Sequence, residues 1–340
     1  KRTLLLFLIL SLSLAQAQVV RNFTSRYSTN TQGDILLIGN TLMTCSTSGT
    51  NGSQCVNTQN GSGSLNNNNF TMIYVDVDSD TSTFNSSSAN LTLPSGASIL
   101  WAGLYWGAEA PSLPSPNTVR FRTPALPTYT TLTASQTDST TVATSSVRYQ
   151  GFVEVTALVQ AGGAGTYWVA DVLGSPNNSN RYAGWGLVVV YQHNSQPLRH
   201  LNVFDGFATV SGTTTVNTTV SGFLTPATGT VITHLGALAY EGDRGITGDR
   251  LRLNGTDVSD ANNPATNFFN STISDLGVHA SGKNPNYIDQ LGFDLDRIQS
   301  TGLLGNNQTS ATVSFVSTGD AYLPGVLSIA VNVFVPDLTT

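Results

Sequence analysis

The chain is poor in charged side chains, and lysine is almost missing. Asp, Glu, Lys and Arg make up only 10% of its 340 residues, against about 25% in an average soluble protein. Lys1 and Lys283 are its two lysines, and 20 acidic residues outnumber 14 basic ones, for a net charge of −6. Nucleic-acid binding depends on neutralising phosphates, and attraction to anionic lipid needs a polybasic patch. The composition therefore excludes nucleic acid as a partner and provides no lipid-binding patch.

Long apolar runs are also missing, except near the N-terminus. There residues 4–14 follow two basic residues, and Ala15 and Ala17 come next in a small-x-small pattern. This order is typical of a cleaved secretory signal, and the run is too short to cross ~30 Å of hydrocarbon. We expect residues 1–17 to be a signal peptide, the protein to be secreted or held at the cell surface, and no membrane insertion after the signal is removed.

Cysteine is rare, with Cys45 and Cys55 separated by the flexible, polar stretch "STSGTNGSQ". In an oxidising compartment the two would pair, and closing so short a loop stabilises by about 2–3 kcal/mol in the chain-entropy model. Zinc binding is disfavoured because no pair of histidines lies nearby. A catalytic thiol is a less simple explanation than the disulfide.

Helical periodicity is nearly absent. Runs of four to eight Val, Ile, Leu, Thr, Phe and Tyr alternate with clusters of Gly, Asn, Ser and Pro, from "DILLIGNTLMTC" to "VLSIAVNVFVP", which is typical of an all-β sandwich or barrel. We predict an all-β fold: a large, two-layer antiparallel β-sandwich, jelly-roll-like, with at most one or two short helices. The helix candidates lie around Val153 to Ala161 and near Tyr287 to Ile298.

No internal repeat divides the chain. Residues 18–336 are predicted to form a single large β-sandwich region, with a possible sub-boundary near 209–228, and 337–340 would begin a linker to a downstream repeat. The Asn-, Gly- and Ser-rich stretch from Thr47 to Asn69 is of low complexity, and we expect it to be a mobile surface excursion.

The densest apolar segment is "RYAGWGLVVVYQHNSQPLRHLNVFDGF". Trp185, Leu187 and Val189 would share one face of a strand, with Val188 and Val190 on the other. Both faces are apolar, so the strand should be covered on both sides. With the second run, "HLNVFDGF", it is predicted to form a hairpin or near-hairpin through the core.

Aromatic residues alternate in the same way in "ASILWAGLYWGAE". Ile99, Trp101 and Tyr105 fall on one face, and Leu104 and Trp106 on the other. Such a ladder indicates core packing. The alternative is a sugar-binding platform, since aromatic rings stack on sugar faces.

Several long motifs occur in order: "GNTLMTC", "NNNNFTMIYVDVDSDTSTFNSSSANLTLPSGASILWAGLYWGA", the apolar segment above, "LGALAYEGDRGITGDRLRLNG" and "KNPNYIDQLGFDLD". Together they resemble the N-terminal region of large bacterial secreted or cell-surface proteins, where it precedes conserved-repeat modules of the domain-of-unknown-function class. The resemblance implies an all-β, adhesin-like piece and supplies no catalytic motif. It also implies that "VFVPDLTT" is the junction to a first repeat.

Two stretches carry acidic residues in spacings that suit calcium, which prefers oxygen ligands. In "DVDSD", Asp76, Asp78 and Asp80 alternate. The stretch is not an EF-hand, because Thr81 and Ser87 occupy the positions of its required Gly and Glu. The alternative is a strand with Ile73, Val75 and Val77 facing the core and the carboxylates facing water.

The second stretch, "EGDRGITGD", offers Glu241, Asp243 and Asp249 around glycines. It could be a cation loop, or a surface turn in which Arg244 or Arg250 pairs with a carboxylate. Asp294 and Asp296 in "GFDLDR" leave the same two readings open. No cofactor is required by the sequence, and calcium is the one candidate.

Lys283, in "SGKNPNY", is the only lysine after residue 17. It is a candidate for an isopeptide bond to Asn or Asp, of the kind found in exported adhesin domains. A solvated loop lysine is the simpler reading.

Motifs for catalysis are missing. Neither G-x-S-x-G nor a phosphate-binding loop with its lysine occurs, and only three Glu residues are available to a glycosidase. We therefore predict a non-catalytic extracellular structural or adhesive module. Its partners would be other cell-surface or matrix proteins, its own copies through edge strands, or glycans. A calcium-dependent, lectin-like carbohydrate-binding module is the alternative, and a secreted hydrolase is the less favoured third.

Overall fold

The structure, a computed structural model, describes residues 18–143 and 146–334. The predicted signal peptide, 1–17, and the predicted linker, 337–340, lie outside these ranges. Within them the chain is almost all β-strand, with the short helices α1 (Cys55–Gln59) and α2 (Thr156–Gly162). No helix in the described ranges has the length and apolar character needed to span a bilayer.

The strands, in chain order, are β1 (Gln18–Thr41), β2 (Met43–Cys45), β3 (Met72–Tyr74), β4 (Ser86–Leu91), β5 (Ser98–Ala110), β6 (Thr118–Arg122), β7 (Thr130–Thr133), β8 (Gln136–Ala143), β9 (Ser146–Glu154), β10 (Gly165–Ala170), β11 (Ala183–Gln192), β12 (Leu198–Thr209), β13 (Thr214–Ser221), β14 (Ile232–Tyr240), β15 (Asp249–Leu253), β16 (Thr256–Asp257), β17 (Ile273–Asp275), β18 (Val278–His279), β19 (Lys283–Asn284), β20 (Phe293–Thr301), β21 (Ser310–Ser317) and β22 (Leu323–Asn332).

Eleven strands hydrogen-bond in the order β18-β17-β20-β14-β22-β12-β1-β11-β5-β9-β8. The long strand β1 joins two halves of this sheet. Its residues 18–32 pair with β12, and its residues 33–41 pair with β11. We call the strands on the two sides of this junction the β12 half and the β11 half. A five-stranded sheet, β19-β4-β10-β6-β7, and a four-stranded sheet, β13-β21-β15-β16, complete the main framework.

Three hydrophobic cores hold these sheets together. The first lies between the β11 half and the five-stranded sheet, where Trp185 and Leu104 pack with Phe121 and Tyr167. The second lies between the β12 half and the four-stranded sheet. The third, which we call the inner core, lies between the two halves of the large sheet and contains Val188 together with side chains of β12, β14 and β20. The predicted all-β sandwich with two short helices is confirmed.

The alternation read from the apolar segment is confirmed in β11. Trp185, Leu187 and Val189 enter the first core, and Val188 and Val190 enter the inner core. This strand is covered on both faces, as predicted.

The alternation is confirmed in β5 as well, except at one residue. Trp101 and Tyr105 face the inner core, and Leu104 and Trp106 face the first core. A shift in pairing with β11 between Ile99 and Trp101 places Ile99 in the first core instead.

The predicted hairpin between β11 and β12 is wrong. Strand β1 lies between them and pairs with both. The two runs are close in sequence, but each buries one face in the inner core from its own half of the sheet. The intervening strand comes from the start of the domain, a long-range pairing that the local pattern does not encode.

Four further expectations are resolved by the structure. The helix candidate near Val153 to Ala161 is confirmed as α2, but the one near Tyr287 to Ile298 is wrong because β20 starts at Phe293. The stretch from Thr47 to Asn69 is not structureless, since it contains α1 and two 3₁₀ turns. Cys45 and Cys55 form the predicted disulfide there, with both side chains buried.

Candidate functional site

The loop from β14 to β15 carries the "EGDRGITGD" carboxylates into the interior. Glu241 begins it in a left-handed conformation, at φ 68°, and its N–H donates to the carbonyl oxygen of Gly292 over 2.7 Å. Asp243 and Asp249 are buried, with relative exposures of 2% and 0%. The carboxylates of this motif are therefore buried and not at the surface, whereas Arg250 does pair with a partly exposed carboxylate, that of Asp257.

Four carboxylates from three parts of the chain gather around this loop. They have exposures of 5% or less and influence one another's protonation, and we call them the acidic cluster: Glu241, Asp243, Asp289 and Asp320.

Asp243 lies at the centre of the acidic cluster. Its N–H donates to Oδ2 of Asp320 over 3.1 Å, and its own Oδ2 accepts from the side-chain amide of Asn68 over 2.9 Å. Its second oxygen, Oδ1, is buried and has no hydrogen-bond partner. The residues around Asp243 therefore satisfy only half of its carboxylate.

Glu241 receives weak compensation. A guanidinium nitrogen of Arg148 lies 3.4 Å from its Oε1, and its Oε2 has no partner. Arg148 is shared, because it also lies 3.0 Å from Glu109, which pairs with Arg181 as well. The available positive charge is directed mainly at Glu109.

Burial raises the pKa of every member of the acidic cluster. It raises the pKa of Asp243 to about 9, with further contributions from the negative charges of Asp320, Glu241 and Asp289. The pKa of Glu241 rises to about 8, and the pKa values of Asp289 and Asp320 rise to about 7, all mainly because of burial. Near neutral pH these groups therefore hold protons or need a positive partner.

Three more buried carboxylates lie behind the loop. In each, one oxygen accepts hydrogen bonds: Asp249 from Phe269 N–H, Asp294 from the N–H of Thr272, and Asp296 from the hydroxyl of Ser274, among others. The second oxygen of each is unpartnered. Burial is the main cause that raises the pKa of Asp294, and the negative charge of Asp296 is the second. Burial also raises the pKa of Asp296.

The other calcium candidates, Asp76, Asp78 and Asp80, lie in the loop between β3 and β4. Asp78 accepts hydrogen bonds from Asp80 N–H, from the hydroxyl of Thr83 and from the hydroxyl of Tyr129. Asp76 accepts from Ser86 and Asp80 from Ser82 N–H. These carboxylates already have protein donors at the surface.

The structure does not bring the five predicted calcium ligands into one group. In residues 18–143 and 146–334, no three His, Cys, Asp or Glu side chains are arranged so that they could hold a metal ion. The partners that do surround Asp243, namely Asn68, Asp289 and Asp320, were not predicted. Their positions are 175, 46 and 77 residues away in the chain, and no local motif links them to the loop.

Lys283 is buried rather than solvated, which contradicts the simpler reading of this residue. Its Nζ donates to the carbonyl oxygen of Tyr287 over 2.6 Å and to Oδ1 of Asn286 over 3.2 Å. Burial lowers its pKa to about 7. The isopeptide assignment stays a prediction.

Three of the four tryptophans, Trp101, Trp106 and Trp185, are core residues with exposures of 4% or less. Trp168 is different, because it lies on the outer face of the five-stranded sheet. The guanidinium of Arg122 stacks 4.3 Å from its ring centre and 5.1 Å from that of Tyr129. This outer-face group of Arg122, Tyr129 and Trp168 is an aromatic surface that lies outside the cores.

The histidines do not combine with serine and carboxylate. Nδ1 of His234 donates to the carboxylate of Asp34, while His193 contacts the hydroxyl of Ser195, 2.6 Å away, and the carbonyl oxygen of Ser95. A surface cavity of 510 Å³ is lined by residues 93–99 together with Gln160, Gly163 and Ala164. Its lining residues include no histidine, carboxylate or cysteine.

Comparison with protein families gives one match to most of the chain. The family described as "Protein of unknown function (DUF3344)" matches residues 39–287. Comparison with curated proteins gave no match. The comparison therefore shows the family, while the likeness to surface proteins with repeat modules stays a prediction.

Among solved structures, fourteen chains match this protein. The major capsid protein P2 from Bacteriophage PM2 is 11% identical with a TM-score of 0.17, covering 74% of this chain and 99% of its own. The STIV MCP is 10% identical with a TM-score of 0.17, covering 72% and 92%. At TM-scores this low, neither likeness supports a statement about fold or function.

Proposed function

Because the chain belongs to the family of unknown function DUF3344, which names no activity, we propose a function from its physical character: a non-catalytic, extracellular structural or adhesive module. It would be displayed at the cell surface or in a matrix, as the N-terminal region of a bacterial protein with downstream repeats. Copies would associate through edge strands. The resemblance in sequence, the signal-like N-terminus and the buried disulfide support this setting.

The observation that carries the proposal is the uncharged edge of the four-stranded sheet. Strand β13, "TTVNTTVS", pairs with β21 on one side and with no other strand of the described ranges. Buried and exposed residues alternate along it, and it contains no charge and no proline. Monomeric proteins usually protect such an edge with lysine, proline or a bulge, because its free N–H and C=O groups pair readily with another strand.

Self-association can be tested by placing one lysine on this edge. We expect sedimentation of the wild-type protein to show concentration-dependent association, and Thr219→Lys to abolish it. Thr312→Lys is the matched control, because Thr312 faces Thr219 in the neighbouring strand β21 of the same sheet. A wild type that stays monomeric at all concentrations, or a control that dissociates equally, argues against assembly through β13.

The non-catalytic part has its own test. A panel of glycosides, esters and peptides should give no turnover above background. Turnover whose rate falls when a single residue is changed would overturn this part of the proposal.

A second candidate function, lectin-like carbohydrate binding, is favoured by the outer-face group around Trp168. Aromatic rings that are partly exposed beside a guanidinium offer stacking and hydrogen bonding to a sugar. Tyr129 also donates to Asp78, so a calcium-dependent version would involve the loop between β3 and β4.

A glycan array would separate this candidate from the first. Binding that Trp168→Ala removes, while Trp168→Phe retains part of it, supports the lectin. Binding abolished by chelator would add the calcium dependence, and an array without signal would rule out this second function.

A further inference from the structure

The acidic cluster holds more negative charge than its surroundings compensate. Arg148 reaches Glu241, but it also serves Glu109 together with Arg181. Arg244 favours the charged form of Asp289 only weakly against burial. A buried carboxylate without a partner is costly in free energy, so this arrangement requires protons or a cation.

Three carboxylate oxygens of the cluster are buried without a hydrogen-bond partner. Oδ1 of Asp243, Oε2 of Glu241 and Oδ2 of Asp289 have no hydrogen-bond partner. Native proteins satisfy most buried polar atoms, so several unpartnered acceptors in one region indicate a missing partner. The buried hydroxyl of Tyr182 and the amide nitrogen of Asn67 are also unpartnered, but these neutral donors supply no positive charge to the carboxylates.

An independent observation comes from Asn67. Its side chain is fully buried, and both its amide atoms lack partners. It lies in the turn next to Asn68, which donates to Asp243. Its amide also lies against Gly292, the residue whose carbonyl oxygen accepts the N–H of Glu241. The nitrogen of this amide is its atom nearest to Gly292, so a buried amide with both atoms unpartnered lies beside the loop that starts at Glu241.

We propose that a divalent cation of the calcium class binds between the loop that starts at Glu241, the turn of Asn67 and Asp320. Asp243 and Asp320 supply carboxylate oxygens, and Asn67 supplies its amide oxygen. Calcium accepts such mixtures of carboxylate, amide and carbonyl oxygens with water, at coordination numbers of about six to eight. A mixed set is consistent with the lack of any three convergent acidic side chains among the described residues. The inference is independent of the proposed surface function.

The site would tie the turn before β3, a strand of the two-stranded sheet, to two loops at one end of the paired strands β14 and β22 of the large sheet. Asn67 precedes β3, Glu241 and Asp243 follow β14, and Asp320 lies in the turn between β21 and β22. Binding only to the folded state stabilises it. The cation would therefore act as a structural link where three loops meet, which suits a protein in calcium-containing external medium.

Calcium titration of the chelator-treated protein tests this. At about pH 8, calcium chloride should raise the midpoint of thermal unfolding and give a saturable heat in calorimetry, and magnesium should do neither at the same concentration. In Asp243→Asn, calcium affinity should fall about tenfold or more, because the affinity of calcium sites depends on the number of charged ligands. Asp80→Asn, in the exposed loop after β3, is the control and should bind as the wild type does.

The stability in chelator distinguishes a lost ligand from a lost fold. Asp243→Asn should then unfold at a temperature no lower than the wild type, because an amide of the same shape replaces a carboxylate that lacks a positive partner and has one unpartnered oxygen. If this variant does not fold, Asp320→Asn takes its place. No calcium-dependent shift in the wild type, an equal shift with magnesium, or a shift that Asp80→Asn removes and Asp243→Asn keeps would each overturn the proposal.

Discussion

The ring of Phe293 lies against the backbone of Gly184, so that a Cβ atom at Gly184 would stand 2.5 Å from Cγ of the ring. Gly184 belongs to β11 and Phe293 to β20, which are in different halves of the large sheet. The absence of a side chain at this position lets the two halves approach each other closely here. Gly186, two residues on, meets Leu238 of β14 in the same way, with a Cβ distance of 2.5 Å.

Gly184→Ala is therefore predicted to destabilise the protein by about 1–3 kcal/mol, the usual cost of overpacking a filled core. Gly282→Ala is the control, because a Cβ there would meet its nearest atom at an ordinary 3.5 Å. Chemical denaturation measures both variants. Equal stability of the two would show that the inner core yields to the added methyl group.

Asp34, in β1, contacts side chains from three strands of the β12 half, namely β12, β14 and β20. Its Oδ2 forms an ion pair with Arg199 over 3.1 Å and accepts hydrogen bonds from Arg297 over 3.0 Å and from His234 over 2.9 Å, and all of these side chains are buried. Asp34→Ala would remove the carboxylate shared by Arg199, Arg297 and His234 and leave Arg297 with Asp275 as its acidic partner, and we expect a loss of about 3–5 kcal/mol.

The comparison for Asp34→Ala is Asp257→Ala, which removes the partner of Arg250 and Arg252 in a partly exposed pair. Its loss should stay below about 1 kcal/mol. Urea unfolding curves of both variants give the difference. If Asp34→Ala cost no more than Asp257→Ala, the buried network would contribute little to stability.

The disulfide between Cys45 and Cys55 closes a loop with a sequence separation of 10. Replacing both cysteines by alanine should lower the free energy of unfolding by about 2–3 kcal/mol and leave the circular dichroism of the sheets intact. Reductant should destabilise the wild type and have no effect on the variant. A wild type indifferent to reductant would show that the cross-link does not limit unfolding.

The stability of the chelator-treated protein should fall as pH rises from about 6 to 10. The folded pKa values of Asp243, Glu241, Asp289 and Asp320, about 9, 8, 7 and 7, lie above that of an unfolded carboxyl group, about 4. The folded state therefore holds more protons, and the stability present below about pH 4 is lost as pH rises through these values.

Thermal unfolding at several pH values measures this decline. Asp243→Asn removes the group with the highest pKa, so its curve should be flatter than that of the wild type. Calcium should flatten the wild-type curve as well, by pairing with the ionised form. A stability that rises with pH over this interval would contradict the assignment of protonated carboxyls to the cluster.

The candidate site was only partly accessible from the sequence. Asp243 and Asp249 stood out by their spacing with glycines, but the motif alone could not distinguish a buried loop from a surface turn. Asp320 and Asn67 gave no signal, because an isolated Asp or Asn in a chain this rich in polar residues looks like any loop residue. Only their meeting around one loop makes them candidates.

Local pattern determined the strands, the two-sided burial of β11, the disulfide and the helix at Thr156–Gly162. These follow from side-chain alternation and short-range spacing, which neighbouring residues fix. Tertiary structure alone decided that β1 lies between β11 and β12, and that Asp243 is buried beside Asp320. The physical reason is that strand order and loop burial depend on which distant surfaces pack best, and alternation within a strand says only that a face is apolar, not which face it meets.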